Sequence, residues 1–448
     1  MITYVRLQNF KSFKDALFDF RKGKKGYKKF VALYGENGSG KTNFVDSISF
    51  LRFSLESFHM ILHADNIRQM KDSGSLPESM MTALALATPD FQKLITKHRM
   101  IGCEDETIIE LGFVFNNHHG NYSVSFKDTI IHERLYYFTG KQSGVMFELS
   151  SGDKGIDSSF CGSFFKSKLA KSELKKLIDQ YWGKHTLLSI LNNERESKNA
   201  DYIKNSYLSY VFEPIQMLLL LTAKHSMGSS QKQDANVNYK GVIENPMEGR
   251  IITDQADYLN LTEKILNDFF TQAYSDIKKI YYIKEPEGTS LHYKLFVSKM
   301  IGGQLRVVDF IEESEGTKRI LFMINNLLGA CQGGTIVFDE IDTGIHDLLL
   351  KTILASMDEW INGQLIITTH NTYLLESLRP QSIYVINIDY MGNKEVHCLD
   401  EYDVHGTNNV RNMYIKGLFG GVPVVDEIEY GEIVEELKES HFVQEDIQ

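Results

Sequence analysis

The feature that most constrains this chain is an eight-residue turn, Gly35-Glu36-Asn37-Gly38-Ser39-Gly40-Lys41-Thr42, lying between an apolar run and an amphipathic one. It fits G-x-x-x-x-G-K-[ST], a loop whose glycines let consecutive backbone N–H groups converge on phosphate oxygens. Residues 29–33 (KFVAL) read as a buried strand entering the loop. Phe44, Val45, Ile48 and Leu51 then recur at helical spacing. A helix beginning at Lys41 turns its positive dipole end toward the same anion. Lys41 brings a point charge to the β- and γ-phosphates, and the Thr42 hydroxyl suits Mg2+.

The last third of the chain alternates helices with short apolar strands. Helical spacing covers 319–328 and 348–360, and buried strands are expected at 335–338, 364–368 and 383–388. That alternation predicts a parallel sheet and places the chain in the α/β class. The strand at 335–338 ends in Asp339-Glu340, at the carboxyl edge of the sheet where α/β ligand sites lie. Asp339 is expected to hold Mg2+ through water and Glu340 to polarise the attacking water. One β-α-β step later, the strand at 364–368 ends beside His370, which would sense the γ-phosphate and position that water. Ser314-Glu315-Gly316-Thr317 opens the helix at 319–328. Ser314 is a natural N-cap. The alternative to simple helix capping is an anion-binding helix start that meets another subunit's nucleotide.

Upstream, strands are expected at 3–10 and 16–20, helix over most of 55–99 with breaks at Gly74 and Pro77, and antiparallel strands over 107–149. A Gly/Ser-rich stretch at 150–159 is expected to close that block. Residues 164–270 read as helical and polar with a loop at 228–246, and strands return at 277–283 and 291–297.

With 448 residues the chain has room for two or three domains at about 100–200 residues each. Its longest apolar run, 217–221, is far short of the ~20 residues of a membrane-crossing helix, and residues 1–13 alternate and carry charge, unlike a secretory signal. Cys103, Cys161, Cys331 and Cys398 form no C-x-x-C pair, so neither a zinc site nor a disulfide framework is expected, and a cytoplasmic location is. A net charge of −11 excludes general coating of nucleic acid. Contact with nucleic acid or an acidic partner would have to use the basic run Arg21, Lys22, Lys24, Lys25, Lys28 and Lys29, read as a hairpin tip. The acidic tail from 426 to 439 reads as a solvated helix face.

In this order, the phosphate loop, the Ser-Glu-Gly-Thr helix start, the strand ending in Asp-Glu and the following histidine resemble an ATP-binding-cassette ATPase head. Leu7-Gln8-Asn9-Phe10-Lys11-Ser12-Phe13 is similar to the strand that opens the SMC and RecF branch. Ile341-Asp342-Thr343-Gly344 stands where that family has its D-loop. The 314–319 stretch and Gly417-Leu418-Phe419-Gly420-Gly421-Val422-Pro423 resemble OLD-like ATPases, and the size and plan are similar to the ATPase subunit of PARIS antiphage defence systems. The resemblance implies a mixed or antiparallel lobe, a parallel-sheet lobe and a compact helical insertion, with boundaries 1–159, 160–275 and 276–448.

It further implies that Asn37, Gly38, Ser39, Gly40, Lys41 and Thr42 bind ATP, with Lys11 and Ser12 nearby. Thr42 and Asp339 would serve Mg2+, Glu340 would be the catalytic base, His370 the switch and Asp342 the D-loop acid. Ser314, Glu315, Gly316 and Thr317 would form the trans signature, in a head-to-head dimer or larger homo-oligomer. The Q-loop glutamine is not placed; Gln142 is a poor candidate. Three functions compete. The first is an ATPase that senses a phage trigger protein and controls a separate toxic effector. The second is a RecF-like DNA-binding ATPase. The third, a stand-alone OLD-type nuclease, is disfavoured because the span after His370 holds no Glu followed by Asp-x-Asp.

Overall fold

A computed structural model describes residues 1–23, 26–72, 91–115, 118–138, 143–153, 155–162, 164–165, 167–196, 223–225, 243, 245–404, 409–423 and 428–439. Lys24, Lys25, Gly74, Pro77, Gln142, the 217–221 run, most of the 228–246 loop and the tail acids Asp426 and Glu427 lie outside the described residues.

The centre is a six-stranded sheet ordered Ala223–His225, Thr335–Phe338, Gln364–Thr368, Phe30–Gly35, Ile383–Ile388, Lys394–Cys398. All its neighbours are parallel except the last pair. The side chains of Phe30–Gly35 split by parity, as the two-residue period of a strand requires. Val31 and Leu33 enter one core, and Phe30, Ala32 and Tyr34 enter the other. Both faces are therefore covered, which is why the inner strands read as unbroken apolar runs.

The first core lies under a seven-stranded antiparallel sheet ordered Gly155–Phe160, Ser143–Gly152, Ile130–Phe138, His118–Phe126, Thr107–Phe115, Ile2–Phe10, Phe13–Asp19. The helix Lys41–Asp72 is sandwiched there through Phe44, Val45, Ile48 and Leu51. The buried Gln364 joins the two sheets: its Oε1 accepts from Ile2 N at 2.7 Å and its Nε2 donates to Ile2 O at 2.8 Å. The second core is closed by helices Ala256–Ala273, Glu315–Cys331 and Asp347–Met357. Beside it lies a smaller antiparallel sheet of Glu248–Ile252, Ile277–Glu287, Ser290–Ile301 and Gln304–Asp309. The architecture is thus the α/β head, antiparallel lobe on parallel lobe, that the motifs imply.

Two local expectations differ from what is observed. The Gly/Ser-rich stretch at 150–159 is a hairpin, with Gly152 opposite Gly155, and so extends the antiparallel sheet instead of ending it. The described part of 160–275 is packed into both lobes. Leu174, Ile178, Trp182 and Leu187 share the first core, Leu259, Leu266 and Phe270 share the second, and Ala223–His225 adds an edge strand to the central sheet. The anchor on the first side is Glu133, wholly buried, whose carboxylate accepts from Tyr122 Oη, Trp182 Nε1, Leu187 N and Leu188 N. Burial pushes its pKa up while those donors pull it down.

Candidate nucleotide site

Three adjacent parallel strands end at one edge of the central sheet and deliver the expected residues there. Phe30–Gly35 leads into the phosphate loop, Thr335–Phe338 into Asp339-Glu340, and Gln364–Thr368, which runs between them, into Thr369-His370. Thr42 Oγ1 lies 3.3 Å from Asp339 Oδ1, across 297 positions of sequence. Lys41 is buried, and its ammonium donates to the loop carbonyls of Gly35 at 2.8 Å and Glu36 at 3.1 Å. Burial lowers its pKa to about 8, against the pull of Glu340, Asp339, Asp342 and Glu36. Gly40 has φ +106°, and a Cβ there would meet the Phe13 ring at 2.7 Å, so this position must be glycine for the loop to lie on that ring.

Around the acids the contacts form a chain. Thr368 Oγ1 donates to Asp339 Oδ1 at 2.8 Å and accepts from Glu340 N at 2.7 Å. Glu340 adopts φ +50°, a conformation that non-glycine residues rarely hold and that clusters at active sites. Its carbonyl accepts from Arg319 Nη2 at 2.5 Å. His370 N donates to Asp342 Oδ2 at 3.0 Å. Burial first, and Lys41 second, hold the His370 imidazole below its ordinary pKa, so it is neutral at pH 7 and one ring nitrogen can accept a proton.

Lys11 pairs with Asp46 on the phosphate-loop helix, and Ser12 Oγ accepts from Asn43 Nδ2 at 2.6 Å, so both lie against the start of that helix. Ser314 caps its own helix: its Oγ accepts from Thr317 N at 3.2 Å. Gly316 abuts the turn 341–344 of the same chain, expected as a D-loop, where an added Cβ would lie 2.2 Å from Gly344 O. Of the basic run, Lys28 turns inward, to Cys398 Sγ at 3.1 Å and Asp400 at 3.5 Å, and Arg21 pairs with Asp19. Lys22 and Lys29 are exposed.

Sequence reading missed Thr368, Arg319 and Lys394. A threonine ending a buried strand between the two motif strands was a usable signal for the first. Nothing in the spacing pointed to Lys394, whose position depends on a hairpin.

The residues fit a magnesium nucleotide. Among the described residues, Ser39 Oγ and Asp342 Oδ1 are buried without a hydrogen-bond partner. The Thr42 hydroxyl and the Asp339 carboxylate, 3.3 Å apart, are hard oxygen donors of the kind Mg2+ takes alongside phosphates.

The family described as "AAA domain, putative AbiEii toxin, Type IV TA system" matches residues 30–376. No curated protein matches. A crystal structure of an Smc head bound to the C-winged helix domain of ScpA aligns at TM-score 0.42 and 14% identity, covering 88% of this chain and 96% of that one. An Smc head domain with an extended coiled coil, bound to the C-terminal domain of ScpA derived from Pyrococcus furiosus, aligns at 0.40 and 13%, covering 93% and 99%.

Proposed function

Since the chain belongs to the AAA domain family described as putative AbiEii toxin, Type IV TA system, we propose that it binds and hydrolyses ATP and uses the cycle to hold and release a separate toxic effector in antiphage defence. The observation that carries the ATPase reading is the 3.3 Å approach of Thr42 to Asp339 beside the buried Lys41. The family's description, a putative toxin of a type IV toxin–antitoxin system, supports a role in toxin control, and the separate effector is our own proposal.

In this reading Gly38, Ser39, Gly40 and Lys41 bind and orient the triphosphate. Thr42 and Asp339 hold Mg2+, which when bound neutralises charge on the phosphates and orients them. Thr368 fixes the Asp339 carboxylate and the Glu340 backbone in one arrangement. Glu340 takes the proton of the attacking water. His370, neutral and held behind Asp342, accepts a hydrogen bond from that water or donates one to the γ-phosphate. Ser314 and Gly316 complete the site of a second copy.

Lys41→Ala should abolish nucleotide binding, and Glu340→Gln should keep binding while slowing turnover by a factor of about 10² or more. Equal turnover in wild type and Glu340→Gln sinks the assignment of the base. The defence role is tested by expressing the chain with and without its adjacent gene during phage challenge. Protection by the chain alone, or protection that survives Lys41→Ala, counts against it.

A further inference from the structure

We propose that Lys394 is a second phosphate-facing cation of this site, an inference that rests on the ATP-binding reading above. Lys394 opens the antiparallel edge strand Lys394–Cys398 and pairs with Ile388. Asp389 braces the hairpin turn, accepting from Met391 N and Asn393 N at 2.8 Å each. The neighbouring strand pairs with the phosphate-loop strand, Ile386 opposite Gly35. The hairpin therefore delivers a lysine from far along the sequence to the loop tip.

There its ammonium donates to Ser12 Oγ at 2.8 Å and to Gly38 O, and lies 5.8 Å from the Phe13 ring centroid. The residue is 8% exposed, close to the 6% of Lys41. The two lysines share a second property. Each ammonium is hydrogen-bonded to neutral oxygens of the loop or its neighbour, and among the described residues neither has a carboxylate at ion-pair distance. Glu36 acts on Lys394 only from farther away.

A buried cation whose direct hydrogen-bond partners are neutral is costly, because hydration is lost and the acids around it act only from a distance. Two of them flanking one glycine loop leave a positive cradle. The local hydrogen-bond count points the same way. Ser12 Oγ already accepts from Lys394 and from Asn43 Nδ2, which leaves its own proton free to donate, and a lysine ammonium carries three donors. Lys394 and Ser12 thus keep donor capacity beside the helix start, and the ligand class that takes up both that capacity and the charge is a polyphosphate.

The competing role is a brace for the loop tip, and the two predict opposite signs. A ligand-binding cation is costly when the ligand is absent, so its removal leaves the unliganded protein as stable or more so. Loss of a brace destabilises the unliganded protein and leaves affinity intact. The experiment uses the full chain with Mg·ATP and a fluorescent methylanthraniloyl-ATP. Lys394→Met, Lys394→Arg and Lys41→Ala are compared with wild type for affinity and for melting with and without nucleotide. Lys394→Met should melt unliganded at or above wild type and bind roughly tenfold to hundredfold more weakly, the range expected for a charge-assisted hydrogen bond. Lys394→Arg should stay within about threefold of wild type, since the charge is retained. If Lys394→Met does not fold, Lys394→Gln keeps a donor without the charge, and the same loss is expected of it. Affinity within about twofold of wild type in the neutral variant, with binding lost in Lys41→Ala, overturns this proposal alone. Wild-type protein that binds no ATP overturns the ATPase reading and this proposal with it.

Discussion

One hydroxyl governs both acids at the end of the Thr335–Phe338 strand. Thr368 gives its proton to Asp339 and takes one from the Glu340 amide, so a single side chain ties the carboxylate to the neighbouring backbone. Thr368→Val keeps the shape and deletes both bonds. It should cost about 1–3 kcal/mol of stability, because an amide loses its partner. ATP turnover should fall while ATP binding persists, and Thr368→Ser should restore turnover. Binding and turnover that match wild type in Thr368→Val refute this role. A second residue-scale prediction concerns His185, buried against Phe58 with Nδ1 3.0 Å from Ser57 Oγ. Burial, with a smaller push from Lys184, lowers its pKa from 6.5 to about 4. The unfolded chain then binds the proton that the folded chain refuses between those values, so stability is lost as pH falls from 6.5 toward 4. In denaturant titrations across that window, His185→Gln should lessen the pH slope by about one proton relative to wild type. Identical slopes would mean the ring is not held neutral.

At the scale of elements, the strands that bear the site were legible because burial on both faces makes them uninterrupted apolar runs. Phe30–Gly35, Thr335–Phe338, Gln364–Thr368 and Ile383–Ile388 all lie within two residues of expectation. The edge strand Lys394–Cys398 was not legible, since its Lys-Glu start and its histidine leave no such run. Gln304–Asp309 was missed for the same reason, being mostly exposed. The 150–159 stretch misled because glycine and serine mark a tight hairpin as readily as a domain break. The helix Glu315–Cys331 shows how an element couples to the site: it begins with the Ser314 cap and touches the D-loop at Gly316. Gly316→Ala drives a methyl into the Gly344 carbonyl, an overpacking worth about 1–3 kcal/mol. ATP turnover should drop well beyond what the modest loss of melting temperature explains, because the D-loop also holds the His370 amide through Asp342. Turnover equal to wild type would show that the helix start and the D-loop are independent.

The whole molecule is two cores sharing one sheet. If Ser314 and Gly316 complete a partner's site, a lone head is an incomplete catalyst, and closed symmetry is the common solution. Light scattering of Glu340→Gln with ATP should show at least a dimer; a strict monomer rules this out. The sheet itself has a consequence for how the chain is made. The phosphate-loop strand is synthesised early, yet both of its hydrogen-bonded neighbours come from the last quarter of the chain, and Ile2 waits for Gln364, 362 positions later. At about 5–20 residues per second, the ribosome leaves the phosphate-loop strand without its final partners for roughly twenty to seventy seconds. Throughout that interval the glycine loop has no sheet to hold it open and no Asp339 beside Thr42. On the proposed ATP-binding function, a half-made chain is therefore blind to nucleotide, and any cycle begins only once the rest of the head exists to be governed by it.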